Sequence, residues 1–232
     1  MEAQVLSANP VETPIDLAPR RLPVQKRAKE RVERILDTLA TLLVEKGFDG
    51  VSTNLIAERA EIDVASIYQY FPNKYAILCA LAERTFERNR SHVENYDSQI
   101  PADKDWTTAM ARLSPYLIDG MRRDPGNVAI RHAMRARPEF CVIQKRGNEM
   151  LAQSIADMMS RRGYPVDGER LLRMGRVMVE TGMAILDVVF TDNVSDPDAY
   201  VHELRTLHMA YVKRCADRSS ATETDRPETG TS

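Results

Sequence analysis

Gln69 lies in the run Ser66-Ile67-Tyr68-Gln69-Tyr70-Phe71-Pro72-Asn73-Lys74, which places an amide, two phenols and an ammonium close together. A glutamine amide holds a donor and an acceptor side by side, the pair that adenine N6 and N7 require. Val64 or Ala65 just upstream could meet a thymine methyl, and Ser66 could contact base or phosphate. The hydroxyls of Tyr68 and Tyr70 and the charge of Lys74 suit phosphate oxygens, as do Thr53 and Asn54 at the start of a helix.

These side chains need rigid elements to aim them. Ser52 can N-cap a helix predicted over Thr53–Ala60, and Glu61-Ile62 then form a tight turn. Asp63 can N-cap a second helix over Val64–Tyr70, which Pro72-Asn73 break. Two short helices crossing closely need a small residue in the first and apolar residues after the turn and in the second. Ala57, Ile62 and Ile67 fill those roles. Residues 52–71 therefore read as a helix-turn-helix whose second helix can enter a DNA major groove. Periodicity alone equally allows a plain three-helix packing motif.

A flanking helix over 26–46 carries the stripe Val32, Ile35, Leu36, Leu39, Leu42 and Leu43 and ends at Gly47. Asn73 can cap a long helix over Lys74–Asn95. Further helices are predicted over 105–123, 126–136, 138–162, 167–190 and 196–216, and no strand-like alternation appears. Residues 1–25, with Pro10, Pro14, Pro19 and Pro23, read as a disordered arm, and 217–232 as a disordered tail.

The chain has 232 residues, 32 Lys plus Arg against 34 Asp plus Glu, so its net charge of −2 does not announce a polyanion as partner. The distribution does: Arg20, Arg21, Lys26, Arg27, Lys29, Arg31 and Arg34, against Glu30 and Glu33, cluster just before and within the start of the first helix. The segment 20–31 can enter a minor groove or serve as a solvated leader, and the sequence leaves both open. The absence of a signal-peptide pattern and of a long apolar run predicts a cytoplasmic protein. Cys79, Cys141 and Cys215 and the four histidines lack metal-ligand spacing, so neither metal nor cofactor is expected. No G-x-G-x-x-G, P-loop, H-E-x-x-H or G-x-S-x-G occurs, so the chain does not read as an enzyme.

Gly47-Phe48, Ser52-Thr53-Asn54-Leu55-Ile56-Ala57-Glu58-Arg59-Ala60 and Ser66 through Lys74 together resemble the DNA-binding domain of the tetracycline-repressor (TetR) family, over roughly residues 28–88. The resemblance implies an all-α homodimer: an N-terminal three-helix DNA-binding domain with the helix-turn-helix, and a C-terminal helical ligand-binding and dimerisation domain. It implies a transcriptional repressor bound to a palindromic double-stranded DNA operator and released by a small-molecule effector. The expected domains are 26–90 and 91–216. Two positions depart from the family: Glu61 stands where glycine is frequent in the turn, and Asp63 where serine often precedes the recognition helix.

Residues 167–190 are apolar around the helix, and 196–216 carry Tyr200, Leu204, Leu207, Tyr211 and Cys215 at helical spacing. They fit the two helices with which the family dimerises. An effector pocket is expected among Trp106, Met110, Tyr116, Phe140 and Met178, with an apolar ligand suggested by those side chains, although such a stripe is also what plain core looks like. A module that kept the helix-turn-helix shape for protein contacts alone is the competing reading.

Overall fold

The computed structural model describes residues 15–166, 168–191 and 194–224. These fold into helices without a strand among the described residues: α1 Lys26–Lys46, α2 Thr53–Arg59, α3 Val64–Tyr68, α4 Lys74–Gln99, α5 Trp106–Arg122, α6 Pro125–Arg135, α7 Cys141–Arg161, α8 Gly168–Thr191 and α9 Pro197–Thr224. A 3-10 turn at Pro138–Phe140 leads into α7.

The short helices start where capping chemistry starts them. Ser52 Oγ accepts from Leu55 N, Asp63 Oδ1 from Ala65 N, and Asn73 Oδ1 from Ala76 N. The α1 stripe is wholly buried, with Ile35, Leu39 and Leu42 at 0% exposure. It packs with Ile56, Ile67, Phe71, Ile77 and Leu78 into a first core. That core also takes Ile130, Ala133 and Met134 from α6 and Phe140 from the 3-10 turn. Phe140 stacks on Tyr75 and meets Phe48 edge-on, at centroid distances of 6.0 and 6.1 Å. The first core therefore extends into the later half of the chain, through α6.

A second core joins the end of α4 to α5, α7, α8 and α9 around Leu113, Leu151, Met158, Met174 and Val212. A small third cluster of Ile118, Met121, Leu186 and Leu204 closes the α5–α8–α9 corner.

Two termini differ from expectation. Residues 1–14 and 225–232 of the expected arm and tail lie outside the described residues. The inner arm, however, is held on the first core: Leu17 packs against it, Asn73 Nδ2 donates to Asp16 O, and Arg20 N donates to Tyr70 O. At the other end α9 continues past 216 to Thr224, because no proline or glycine interrupts the chain between Pro197 and Pro227. No described helix is long and apolar enough to cross a membrane.

Candidate nucleic-acid interface

The α2–α3 turn is a Schellman motif. Ile62 N donates to Ala57 O and Glu61 N to Glu58 O, the paired bonds of a helix ended by a left-handed residue. That residue is Glu61, at φ 53°, the one non-glycine at positive φ among the described residues. Ile62 returns over Ala57, and Ile67 at 0% exposure fixes α3 against α2. Ala57, Ile62 and Ile67 thus hold the crossing.

A side chain in the left-handed region costs roughly 1–2 kcal/mol, and glycine gives back about 0.5–1 kcal/mol of that in the unfolded chain. Glu61→Gly is therefore expected to stabilise the protein by about 0.5–1 kcal/mol, read as a raised urea midpoint. An unchanged or lowered midpoint would remove strain from this turn.

The outward surface of α2 and α3 offers a definite set of groups. Asn54, Ala65, Tyr68 and Gln69 are exposed, and Thr53 and Ser66 half-buried. Thr53 Oγ1 and the Tyr68 hydroxyl are 3.0 Å apart, which ties the start of α2 to the end of α3 and presents both hydroxyls together. Gln69 is the C-cap of α3, with its side chain exposed. Val64 faces partly inward against the first core.

Two expected phosphate ligands are used otherwise. Tyr70 is 7% exposed, because it follows Ile67 by three residues and shares its buried face. Lys74 turns inward: its Nζ donates to Phe48 O at 3.0 Å and Val51 O at 2.8 Å and lies 4.6 Å from the centre of the Phe48 ring. Burial lowers its pKa, against the opposing pull of the Asp49 carboxylate. The ammonium thus closes the α1–α2 loop under the helix-turn-helix. The inner arm supplies a group instead, since Arg20 Nη1 donates to Tyr68 O and brings the arm to the end of α3.

Of the expected effector residues, Trp106, Met110, Tyr116 and Met178 share the second core, and Phe140 does not. Phe140 belongs to the first core. Trp106 packs edge-on against Tyr164, and Tyr116 tilts against Tyr96. Met110 is closed core at 1% exposure. Tyr116 lines one cavity, and Met178 lines another, partly open, with Leu113, Ser114, Leu117, Ile118 and His208 among its neighbours. Missed from sequence was the polar group there. His208 Nδ1 and Nε2 are each 2.9 Å from a hydroxyl, of Ser114 and Thr181. The Thr181 hydroxyl also lies within hydrogen-bond distance of Val177 O, and the imidazole tautomer sets which ring nitrogen donates. Burial pushes the His208 pKa down to about 4. A serine and a histidine set inside otherwise apolar stripes were the available signal.

Comparison with known proteins agrees with this architecture. Residues 35–81 match the family described as "Bacterial regulatory proteins, tetR family", and 105–211 match "Tetracyclin repressor-like, C-terminal domain". A TetR-family transcriptional regulator from Streptomyces coelicolor is 30% identical in its crystal structure, with a TM-score of 0.64 over 80% of this chain and 97% of that one. The chain belongs to the TetR family. Its sequence is also similar to the HTH-type transcriptional repressor KstR of Rhodococcus jostii (strain RHA1), 34% identical over 97 residues. That stretch is 42% of this chain and 43% of KstR, so the likeness spans less than half of that relative. A TetR-family regulator from Syntrophomonas wolfei, at 16% identity, shares the fold with a TM-score of 0.68 over 79% of this chain and 95% of its own. TetR-family members are DNA-binding transcription regulators rather than enzymes, and the helix-turn-helix here is the one that the family model covers.

Proposed function

We propose that this TetR-family protein is a cytoplasmic repressor that binds a palindromic DNA operator as a homodimer and leaves it when a small molecule enters the C-terminal helices. The observation that carries the reading is the surface of α3. Its Schellman-braced N-terminal half exposes Ala65, with Ser66 beside it, and its end exposes Tyr68 and Gln69. Ala65, Ser66 and Gln69 take the base edges, with Val64 contributing its outer edge. Tyr68, Thr53, Asn54 and the arm at Arg20 take phosphates, and those contacts set position and affinity. Tyr70 and Lys74 support the site from beneath. The DNA-binding unit runs from 26 to 90 with α6 docked on it, and 91–216 with the rest of α9 form the effector and dimer unit.

Dimerisation uses α8 and α9. Two recognition helices then meet half-sites about one helical turn apart, roughly 34–36 Å or somewhat more. An effector shifts that spacing only by its differential affinity for the two states.

The test is selection of bound duplexes from a random pool, followed by anisotropy titration. A palindrome should emerge, and Gln69→Ala should relax preference at one base pair per half-site by roughly 1–3 kcal/mol. Equal weakening at every sequence would reassign Gln69 to the backbone. A folded dimer with no duplex preference at any salt would favour the protein-contact reading.

A further inference from the structure

The cavity beside His208 has a neighbour. The first, of about 40 Å3, is lined by apolar side chains of α5, α7, α8 and α9, with Ser114 and neutral His208 at one point. The second, of about 30 Å3, lies between α4, α6 and α7; its lining is mostly apolar, with Asn89, Asn127, Arg131, Gln144 and Asn148 as its polar groups. Met121, Leu151 and Met183 line both, so one thin wall separates them. Two of its three side chains are unbranched thioethers, which change shape at little cost. Each cavity now has room for no more than a few waters.

Arg131 is the charged group of this second cavity, with 17% of its side chain exposed. Its Nη2 donates to Asp187 Oδ1 at 2.6 Å and to Met183 O at 3.2 Å. Its Nη1 has only the Met183 thioether, a weak acceptor. Arg135 also pairs with Asp187, so two guanidinium groups share one carboxylate. The Glu180 carboxylate also acts on Arg131, and what the cluster lacks is an oxygen for the Nη1 donor at the cavity wall.

We propose that the two cavities are the ends of one ligand site, for an elongated apolar molecule ending in a carboxylate. The apolar body displaces the wall methionines and occupies the α5–α8–α9 chamber. The carboxylate takes Arg131, with the Asn89 and Gln144 amides near it. Asp187 keeps Arg135, so both carboxylates end up paired and neither charge is stranded. The α6–α8 clasp is exchanged for a ligand contact, and α6 packs on α1 in the DNA-binding core. Its consequence for DNA rests on the effector-responsive reading above, but the binding does not.

The probes are decanoate, decan-1-ol and decylamine, each below its micellar concentration, titrated calorimetrically into the full-length dimer without DNA. Decanoate should bind about tenfold or more tighter than decanol, and decylamine more weakly than either. Arg131→Gln should bring decanoate to the level of decanol and leave decanol unchanged. On the unaltered protein, the carboxyl carbon of bound 13C-labelled decanoate should titrate below the usual carboxylate range. Equal affinities of decanoate and decanol, an ordinary carboxyl titration, or no binding by any probe would overturn the proposal. Decanoate binding with the operator still held would leave this site standing and remove effector release. Release by another compound, with no decanoate binding, would do the reverse.

Discussion

Leu207→Glu is expected to yield a folded monomer that has lost operator binding. Among the described residues nine large apolar side chains are well exposed, and four of them, Leu172, Val177, Tyr200 and Leu207, lie on α8 and α9. Leu207 is 53% exposed, and Tyr200 is seven residues before it on the same face of α9. Val177 is 45% exposed on α8, in an outward row with Ala184. A single chain gains nothing from this surface, whereas a two-fold partner would cover it. In an isologous interface each substitution counts twice. Burying one unpaired carboxylate per subunit should raise the dimer dissociation constant about a hundredfold or more. A monomer reaches only one half-site, so anisotropy should show operator affinity falling by a similar factor. Val142→Glu is the control: Val142 is 77% exposed but belongs to α7 rather than to α8 or α9, and the change should alter neither measurement. A dimer that survives Leu207→Glu in sedimentation velocity would move the interface elsewhere.

The helix-turn-helix was legible because its instructions are local. Caps at Ser52, Asp63 and Asn73 and the breaker Pro72 set the helix ends, and each makes the hydrogen bond its type predicts. The site's chemistry was legible only in part. Tyr70 could have been placed inside by periodicity, since Ile67, Tyr70 and Phe71 recur at three and four residues and all are buried. Lys74 could not, because its inward turn depends on two carbonyls more than twenty residues upstream. The partners of the expected effector residues were hidden for a related reason. Apolar periodicity says which face of a helix is buried, not which neighbour covers it. Phe140 went to the first core, and Trp106 and Tyr116 went to aromatic partners. The Arg131–Asp187 pair spans 56 residues and left no local trace at all.

Two glycines of α8 show the same limit and give a sharp test. Gly175 and Gly182 are seven residues apart, a spacing that puts both on one face of α8. In the fold they meet different neighbours. A Cβ on Gly175 would come within 2.5 Å of Ala152 O and 3.3 Å of its carbonyl carbon, which are backbone atoms of α7 that no rotamer change can move. A Cβ on Gly182 would meet only His208 Cε1, at an ordinary 4.0 Å. In an open helix, glycine to alanine stabilises by up to about 1 kcal/mol. Gly182→Ala should therefore be neutral or stabilising. Gly175→Ala must push α7 from α8 and should destabilise by about 2 kcal/mol or more even after that propensity gain. Gly175→Val should cost more still, because the branched side chain adds bulk against the same carbonyl. For a chain of this size the alanine change corresponds to a Tm lowered by about 5 °C or more, read at fixed protein concentration. The pair of signs is the informative quantity. If both glycine-to-alanine changes stabilise, helix propensity governs α8 and the close α7–α8 approach does not hold. If Gly175→Ala alone destabilises, that approach is the constraint that keeps α8 seated, with Met183 and Asp187 two and three turns further along the same helix, where Arg131 meets them.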